Sequence, residues 1–440
     1  PVPDIDHTQY MLIIGGNPLA SNGSIMTVPN VPKRLKAIQQ RGGRFIVIDP
    51  RRTETAEIAD QHLFIRPGTD AFLLMAMLNT LYAEDLVKTG HLTDLLVGVD
   101  DVGRLCKSFT PELAEQQTGI AAEQIRQLAR DMANIDGAVC YGRMGVSVQV
   151  YGTLCQWAIH MINILTGSLD VRGGMMASSP AMGYIKPGES GAGHFAAFHS
   201  RVSGLPEFAG ELPSSVMAEE MLTEGEGQIR ALVTVAGNPV LSAPNGRQID
   251  KALNGLDYMV SIDFYINETT QHADIILPPT SALEHDHYDI AFYRLAVHNT
   301  ARFNEPVFDA AAGTLHDWEI FNGLGKAIAE RKGIEVKLLS SPDKLIDLGI
   351  QYGPYGAAAG HPLALTLDKI KQHPHGLDLG RLEPSLPERL CTQDGKITLL
   401  ADYIVKDIAR LSSDKVITED GEFLLIGRRH IRSNNSWMHN

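Results

Sequence analysis

The apolar positions of this chain fall into short runs separated by Gly-rich loops and by stretches with helical spacing, and one such arrangement occurs twice. MLIIGGNP at 11–18 and ALVTVAGNP at 231–239 are both strand-like runs that end in Gly-Asn-Pro. Each is followed by a second apolar run closed by an acid, RFIVID at 44–49 and YMVSID at 258–263. The thirteen residues from each Ile-Asp onward, IDPRRTETAEIAD and IDFYINETTQHAD, agree at Ile48/Ile262, Asp49/Asp263, Glu54/Glu268, Thr55/Thr269, Ala59/Ala273 and Asp60/Asp274. Unrelated segments of ordinary composition would share roughly one such column. A duplicated unit of strand, Gly loop, helix, strand and Asp organises the chain.

In order, the pattern predicts a strand at 10–14, a helix at 32–41 stopped by Gly42-Gly43, and a strand at 45–48. That βαβ unit requires parallel strands whose carboxyl ends line a crevice. A third strand is expected at 63–65, then a helix capped by Asp70 and running to Ala83. A helix at 121–133, a strand at 137–141, the loop GRMGVSVQ and a buried helix at 151–165 follow. Residues 168–215 lack periodicity. The second unit predicts strands at 231–235, 258–262 and 275–277 with a helix at 246–254. A helix is expected at 317–331, irregular chain at 340–390, a strand at 396–400, a helix to Leu411, and the start of a further element at 424–426. The alternation defines an α/β fold with parallel sheets in both halves.

At 440 residues, 44% hydrophobic and 20% charged, the chain has the composition of a globular protein large enough for two or three domains. No apolar run reaches the roughly 18 residues of a membrane span. A net charge of −14 argues against general affinity for nucleic acid or anionic membrane, though not against phosphate held by backbone N–H groups and local arginines. Cys106, Cys140, Cys155 and Cys391 form no C-x-x-C pair, and read as core residues rather than zinc or iron–sulfur ligands. Scattered thiols suit a reducing compartment, so a cytoplasmic location is expected. A periplasmic one stays open, because the chain starts at Pro1 and a targeting peptide can have been removed. Both ends look cut, and the chain is expected to be a fragment.

The Gly15-Gly16-Asn17-Pro18 and Gly237-Asn238-Pro239 loops stand where a strand hands over to a helix, and small residues there let backbone approach an anion. Asp49 and Asp263 stand where such folds bind a ribose hydroxyl or a base edge. The competing reading makes each loop a turn and each Asp a helix cap, but turn chemistry does not require matched spacing in two copies. Thr55 and Thr269 can cap a helix or bind ligand, and Asp60 and Asp274 are expected to hold the backbone before the next strand. Arg51, Arg52 and Arg66 are the nearest cations, and can equally be solvated surface residues. His285 and His287 would share a strand face, too few ligands for a metal site. No G-x-G-x-x-G, P-loop, HExxH or G-x-S-x-G motif occurs. The residues alone describe a two-fold nucleotide binder without a catalytic group of its own.

GGNPLASNG, VIDPRRTETAEIADQHLFIRPGTDAFLL, LTGSLDVRGG, AGNPVLSAPN and IDFYINETTQHADIILPPTSALEHD, in this order, resemble the molybdopterin oxidoreductase family, the group similar to formate dehydrogenases, nitrate reductases and dimethyl sulfoxide reductase. The resemblance covers nearly the whole chain. It implies two Rossmann-like parallel-sheet domains related by an internal repeat, binding bis-molybdopterin guanine dinucleotide with Mo or W. Two identical nucleotide tails need two similar pockets, which gives the duplication a physical reason. By position, the resemblance assigns Gly16, Asn17 and Pro18 to one dinucleotide's phosphates. It assigns Asp49, Arg51, Gly68, Thr69 and Asp70 to its ribose and guanine, and Met144 and Gln149 to the pterins. Asn238 and Asp263 would serve the second nucleotide, His285 and Asp317 further cofactor contacts, and Gly427, Arg428 and His430 the pterin edge.

The family's N-terminal [4Fe-4S] domain and its metal-ligating residue have no counterpart here, so the fragment is expected to be inactive while its parent is an oxidoreductase with an electron-transfer subunit or carrier. Residues 1–175 would be the first domain, 176–418 the later half of a second α/β domain, and 419–440 a stub of a β-rich C-terminal domain. The rival expectations are a non-catalytic nucleotide-binding or interaction module, and an α/β enzyme built on a thiamine or nucleotide domain.

Overall fold

Tyr10–Ile14 (β1) lies between two parallel neighbours, and all five of its side chains are buried. The computed structural model describes residues 1–182, 195–414, 422–428 and 430. After β1 come Val31–Gln40 (α1), Arg44–Ile48 (β2), Gln61–Leu63 (β3), Asp70–Ala83 (α2), Ala122–Asn134 (α3), Ala138–Gly142 (β4) and Gly152–Leu165 (α4). The sheet order is β3-β2-β1-β4, all parallel, with Tyr10 opposite Arg44 and Ala138, and Ile14 opposite Ile48 and Gly142.

Side chains alternate across a strand, so β1 feeds two cores. Tyr10, Leu12 and Ile14 pack with Leu73 and Met77 of α2, Leu128 of α3 and Ile162 of α4. Met11 and Ile13 pack with Val31, Leu35 and Ile38 of α1 and with Phe45 and Val47 of β2. Each such fully buried aliphatic contributes about 2 kcal/mol. Helix α2, DAFLLMAMLNTLYA, is dominated by the strong helix formers Ala, Leu and Met and is buried almost all round. Cys106, Cys140 and Cys155 are core residues, as expected, whereas Cys391 is only partly buried; burial pushes the Cys106 thiol up to about 12.

In the second half, Ala231–Val235 (β5), Gly246–Leu253 (α5), Tyr258–Ile262 (β6) and Ile275–Ile276 (β7) repeat the arrangement. The order is β5-β6-β7, parallel, with Val235 opposite Ile262. Ile249, Ala252 and Leu253 of α5 pack on Met259 of β6. The long helix Asp317–Lys332 (α6) opens with a capping box between His316 and Glu319 and closes at Gly333, whose φ of +64° suits a glycine.

By packing, the described residues form one unit of 1–182, 289–301, 377–414, 422–428 and 430, and another of 195–288 and 302–376. Within the first unit, residues 299–301 and 377–380 form an antiparallel strand pair. Among the described residues no helix is long and apolar enough to cross a membrane.

Several expectations are corrected. The region 340–390 contains helices Pro342–Gln351 and Leu367–Lys371 and a strand, Leu377–Gly380. Pro342 starts the first of these helices, standing at an N-terminus where no N–H is needed. The strand expected at 63–65 is Gln61–Leu63, because pairing with Ile46–Ile48 sets its register. Asp70 is the first residue of α2 rather than its cap, the cap being Thr69. The loop 142–149 contains a helical turn, Met144–Ser147, and residues 424–426 lie in no strand. Helices Val99–Cys106 and Pro111–Thr118 had no sequence assignment.

Candidate functional site

The shared columns of the repeat build one local device in both copies. In the first, Asn17 Nδ2 donates to Glu54 Oε2 at 2.7 Å, Thr55 Oγ1 donates to Asn17 Oδ1 at 2.8 Å, and Leu19 N–H donates to Thr55 Oγ1 at 3.2 Å. In the second, Asn238 Nδ2 donates to Glu268 Oε2 at 2.8 Å, Thr269 Oγ1 to Asn238 Oδ1 at 2.7 Å, and Val240 N–H to Thr269 Oγ1 at 3.1 Å. The acids also match: Phe45 N–H donates to Asp60 Oδ2 at 2.8 Å, and Met259 N–H to Asp274 Oδ2 at 2.7 Å. Asp60 and Asp274 therefore hold backbone, as expected, and the threonines tie the Asn to the helical turn after it.

This device occupies the Asn side chains and leaves backbone for a ligand. Gly16 and Asn17 N–H have no hydrogen-bond partner among the described residues, and neither do Gly237 and Asn238 N–H. The loops leave their strands through a left-handed residue in both copies, Gly15 at φ +57° and Ala236 at φ +47°. In the first copy the backbone is pinched further, since a Cβ on Gly15 would lie 2.7 Å from Val146 N. Gly145 N–H donates to Gly15 O at 2.9 Å and Arg143 N–H to Ile14 O at 3.1 Å, so β4's end is part of this loop.

Asp49, at the carboxyl end of β2, accepts from Arg51 N–H at 2.8 Å. Burial raises its carboxyl above the ordinary value, and the Arg51 contacts and His62 oppose that. Asp70 is 3% exposed and accepts from Gln149 Nε2 at 2.6 Å. Burial, with a smaller push from Asp49, raises Asp70 to about 6, and the Gln149 bond opposes the rise. Gln149 Oε1 is buried and accepts no hydrogen bond. The fold thus brings together Gly16, Asn17 and Pro18 through the Glu54–Thr55 device, and Asp49, Asp70 and Gln149 through a half-buried acid cluster.

Other expected residues are placed less directly. Arg51 Nη2 lies 3.4 Å from Glu54. Gly68 is exposed at φ +81°, and Thr69 Oγ1 donates to Arg66 O at 2.7 Å, so both serve the turn into α2. Arg66 is used on the carbonyls of Gln116 and Gln117. Met144 is 59% exposed. Asp263 Oδ1 accepts from Phe264 N–H and Tyr265 N–H at 2.7 and 3.1 Å. Only His287 of the histidine pair lies in a strand, His287–Tyr288; the His285 ring lies 6.4 Å from that of His316, next to Asp317 at the start of α6. Gly427, Arg428 and His430 are exposed and lie in no helix or strand. Sequence reasoning missed Arg143, whose side chain lies against Gly16 and whose Nε is buried without a partner.

An open hollow of about 360 Å³ beside the second loop is lined by Met217, Val233, Val235, Gly237, Asn238 and Pro239, among others. A second hollow, about 240 Å³ and lined by Asp4, Asp6, His7, His298 and Arg381, shares no lining residue with the Gly16–Asp49 crevice. The first belongs with the repeated device, and chemistry rather than hollow size identifies the site.

Two parallel sheets each carry an Asn-latched loop, free backbone donors and an acid at the next strand end, a duplicated α/β arrangement whose oriented N–H groups suit an anion. The chain belongs to the molybdopterin oxidoreductase family, whose profile matches residues 1–327. It is 28% identical over 352 residues to the assimilatory nitrate reductase catalytic subunit of Bacillus subtilis, covering 75% of this chain and 47% of that protein. It is 27% identical over 358 residues to formate dehydrogenase H of Escherichia coli, covering 76% and 46%. Its fold is similar to that of acetylene hydratase from Pelobacter acetylenicus, with a TM-score of 0.68 and 19% identity over 92% of this chain and 57% of that one. The chain spans about half the length of these curated relatives.

Proposed function

We propose that this chain is the cofactor-binding central part of a molybdenum or tungsten oxidoreductase that holds two molybdopterin guanine dinucleotides, one tail at each repeat. The observation that carries this reading is the pair of unpartnered N–H groups preserved at Gly16–Asn17 and at Gly237–Asn238. Oriented backbone donors at a strand end suit phosphate without adding net charge. The residues fit such a group in other respects. Gln149 Oε1 is a buried acceptor awaiting an N–H, which a purine or pterin edge can supply.

When bound, the cofactor supplies a metal centre that exchanges two electrons with substrate. The chain's own part is to hold the tails. Gly16 and Asn17 would meet one set of phosphates, with Asp49 and the Asp70–Gln149 pair holding ribose and base. Gly237, Asn238 and Asp263 would do the same for the other. The names of the relatives point to nitrate or formate as substrate class. The [4Fe-4S] cluster, the metal ligand, the electron-transfer partner and a role for Gly427, Arg428 and His430 belong to this same proposal. Metal and nucleotide analysis of the purified full-length protein tests it. Molybdenum or tungsten with two guanine nucleotides released per metal is the expected result. A protein carrying neither refutes it.

A further inference from the structure

We propose that Arg143 is the phosphate-contacting cation of the first crevice, and that it makes the two nucleotide sites unequal. This rests on the dinucleotide reading above and goes beyond the residues which that reading assigns.

Arg143 directly follows β4 at its carboxyl end, and its backbone N–H donates to Ile14 O at 3.1 Å. That bond fixes the residue beside the first Gly loop. A Cβ built on Gly16 would lie 3.4 and 3.5 Å from Arg143 Cβ and Cγ, so the arginine stem covers the glycine whose N–H is unpartnered. Nε is buried with no hydrogen-bond partner, and the guanidinium makes no ion pair among the described residues. A buried guanidinium N–H without an acceptor is costly to leave unmade, and a phosphate oxygen is the acceptor such a group fits best.

The neighbouring cations are committed or outward. Arg51 pairs with Glu54, Arg66 bonds two main-chain carbonyls, and Arg52 is exposed. Among the described residues the second repeat shows no counterpart: β5 is paired only with β6, and a Cβ on Gly237 would meet only Val235 O, at 3.5 Å. The residues after Asp263 there are Phe264, Tyr265 and Ile266, all exposed and none cationic. The geometry therefore gives the first site a charge-assisted contact that the described residues of the second do not supply.

The test uses the full-length protein prepared without cofactor, titrated calorimetrically with guanosine diphosphate and, separately, with guanosine. Wild type is expected to bind the diphosphate at a tighter and a weaker site. In R143Q the tighter site should weaken about tenfold or more while guanosine binding stays unchanged. R143K should recover part of the loss, since it restores charge without the planar fork. Unaltered diphosphate affinity in R143Q overturns the assignment and leaves the dinucleotide reading intact. Equal loss of guanosine and diphosphate also overturns it, because the arginine would then shape the crevice rather than meet phosphate. If wild type binds neither ligand, the reading and the assignment fall together.

Discussion

The two repeats carry the same loop device in different surroundings. β1 is paired on both edges and buried on both faces, whereas β5 has one partner among the described residues and exposes Val233 and Val235 by 51% and 44%. Yet the Asn–Glu–Thr latch agrees within about 0.1 Å in each of its three bonds (2.7 and 2.8, 2.8 and 2.7, 3.2 and 3.1 Å). Loop shape therefore does not depend on how well the sheet beneath it is covered. The shared columns encode the strand-end geometry, and burial is added by whatever packs outside them.

The sharpest way to break this comparison is to shorten matched strand residues. Leu12→Ala, at the position matching Val233, removes a side chain buried to 0% exposure and should destabilise by about 2–5 kcal/mol. Val233→Ala removes a half-exposed one and should cost below about 1 kcal/mol. Urea unfolding followed by a probe in each unit checks this. Equal losses would mean that β5's outer face is covered in solution, and the contrast in burial would fail.

Asp70 offers the next largest effect. Its carboxyl titrates near 6 when folded and near 3.8 when unfolded, so the folded state binds the extra proton between those values. Its contribution is complete below about pH 4 and is lost as pH rises through 6, an effect of about 3 kcal/mol at most. The stability difference between wild type and D70N should therefore move against wild type from pH 4 to pH 7. A difference that is flat with pH would place Asp70 in water rather than beneath Gln149.

A smaller effect tests the latch itself. The cycles N17A/T55A and N238A/T269A should each give a coupling of about 1 kcal/mol, similar in the two units despite their unequal burial. If only the first pair couples, loop shape does depend on the surrounding sheet.

How much of this was legible in the sequence follows the range of the interactions. The strands at 10–14, 231–235 and 258–262 are set by local apolar runs, and they match residue for residue. The roles of Asp60 and Asp274 were readable because each acts 15 residues from its partner, at a spacing the repeat displays twice. The helix Pro342–Gln351 falls where irregular chain was expected, because a proline starts a helix as readily as it ends one. The Gln149–Asp70 bond spans 79 positions and the Arg143–Gly16 contact 127 (143 less 16), and no periodicity reports pairings made by tertiary packing. The latch spans only 37 positions, but its Asn reads as a phosphate contact by resemblance and its Thr as either a helix cap or a ligand contact, and spacing alone does not report the bonds between them.

The finest difference between the copies lies at one residue. Gly15 and Ala236 leave their strands with φ of +57° and +47°, a region that costs an alanine about 1–2 kcal/mol and a glycine nothing. Ala236→Gly removes that strain but returns about 0.5–1 kcal/mol of chain entropy to the unfolded state. The net gain should be about 0.5 kcal/mol, read as a small rise in the unfolding midpoint of the second unit with the first unit unmoved. The reverse change, Gly15→Ala, adds the same strain where a Cβ would also strike Val146 N at 2.7 Å, and should cost several times more. A loss from Gly15→Ala no larger than the gain from Ala236→Gly would mean that the backbone at 15 and 145 can part, and that the tighter packing of the first copy does not hold its loop.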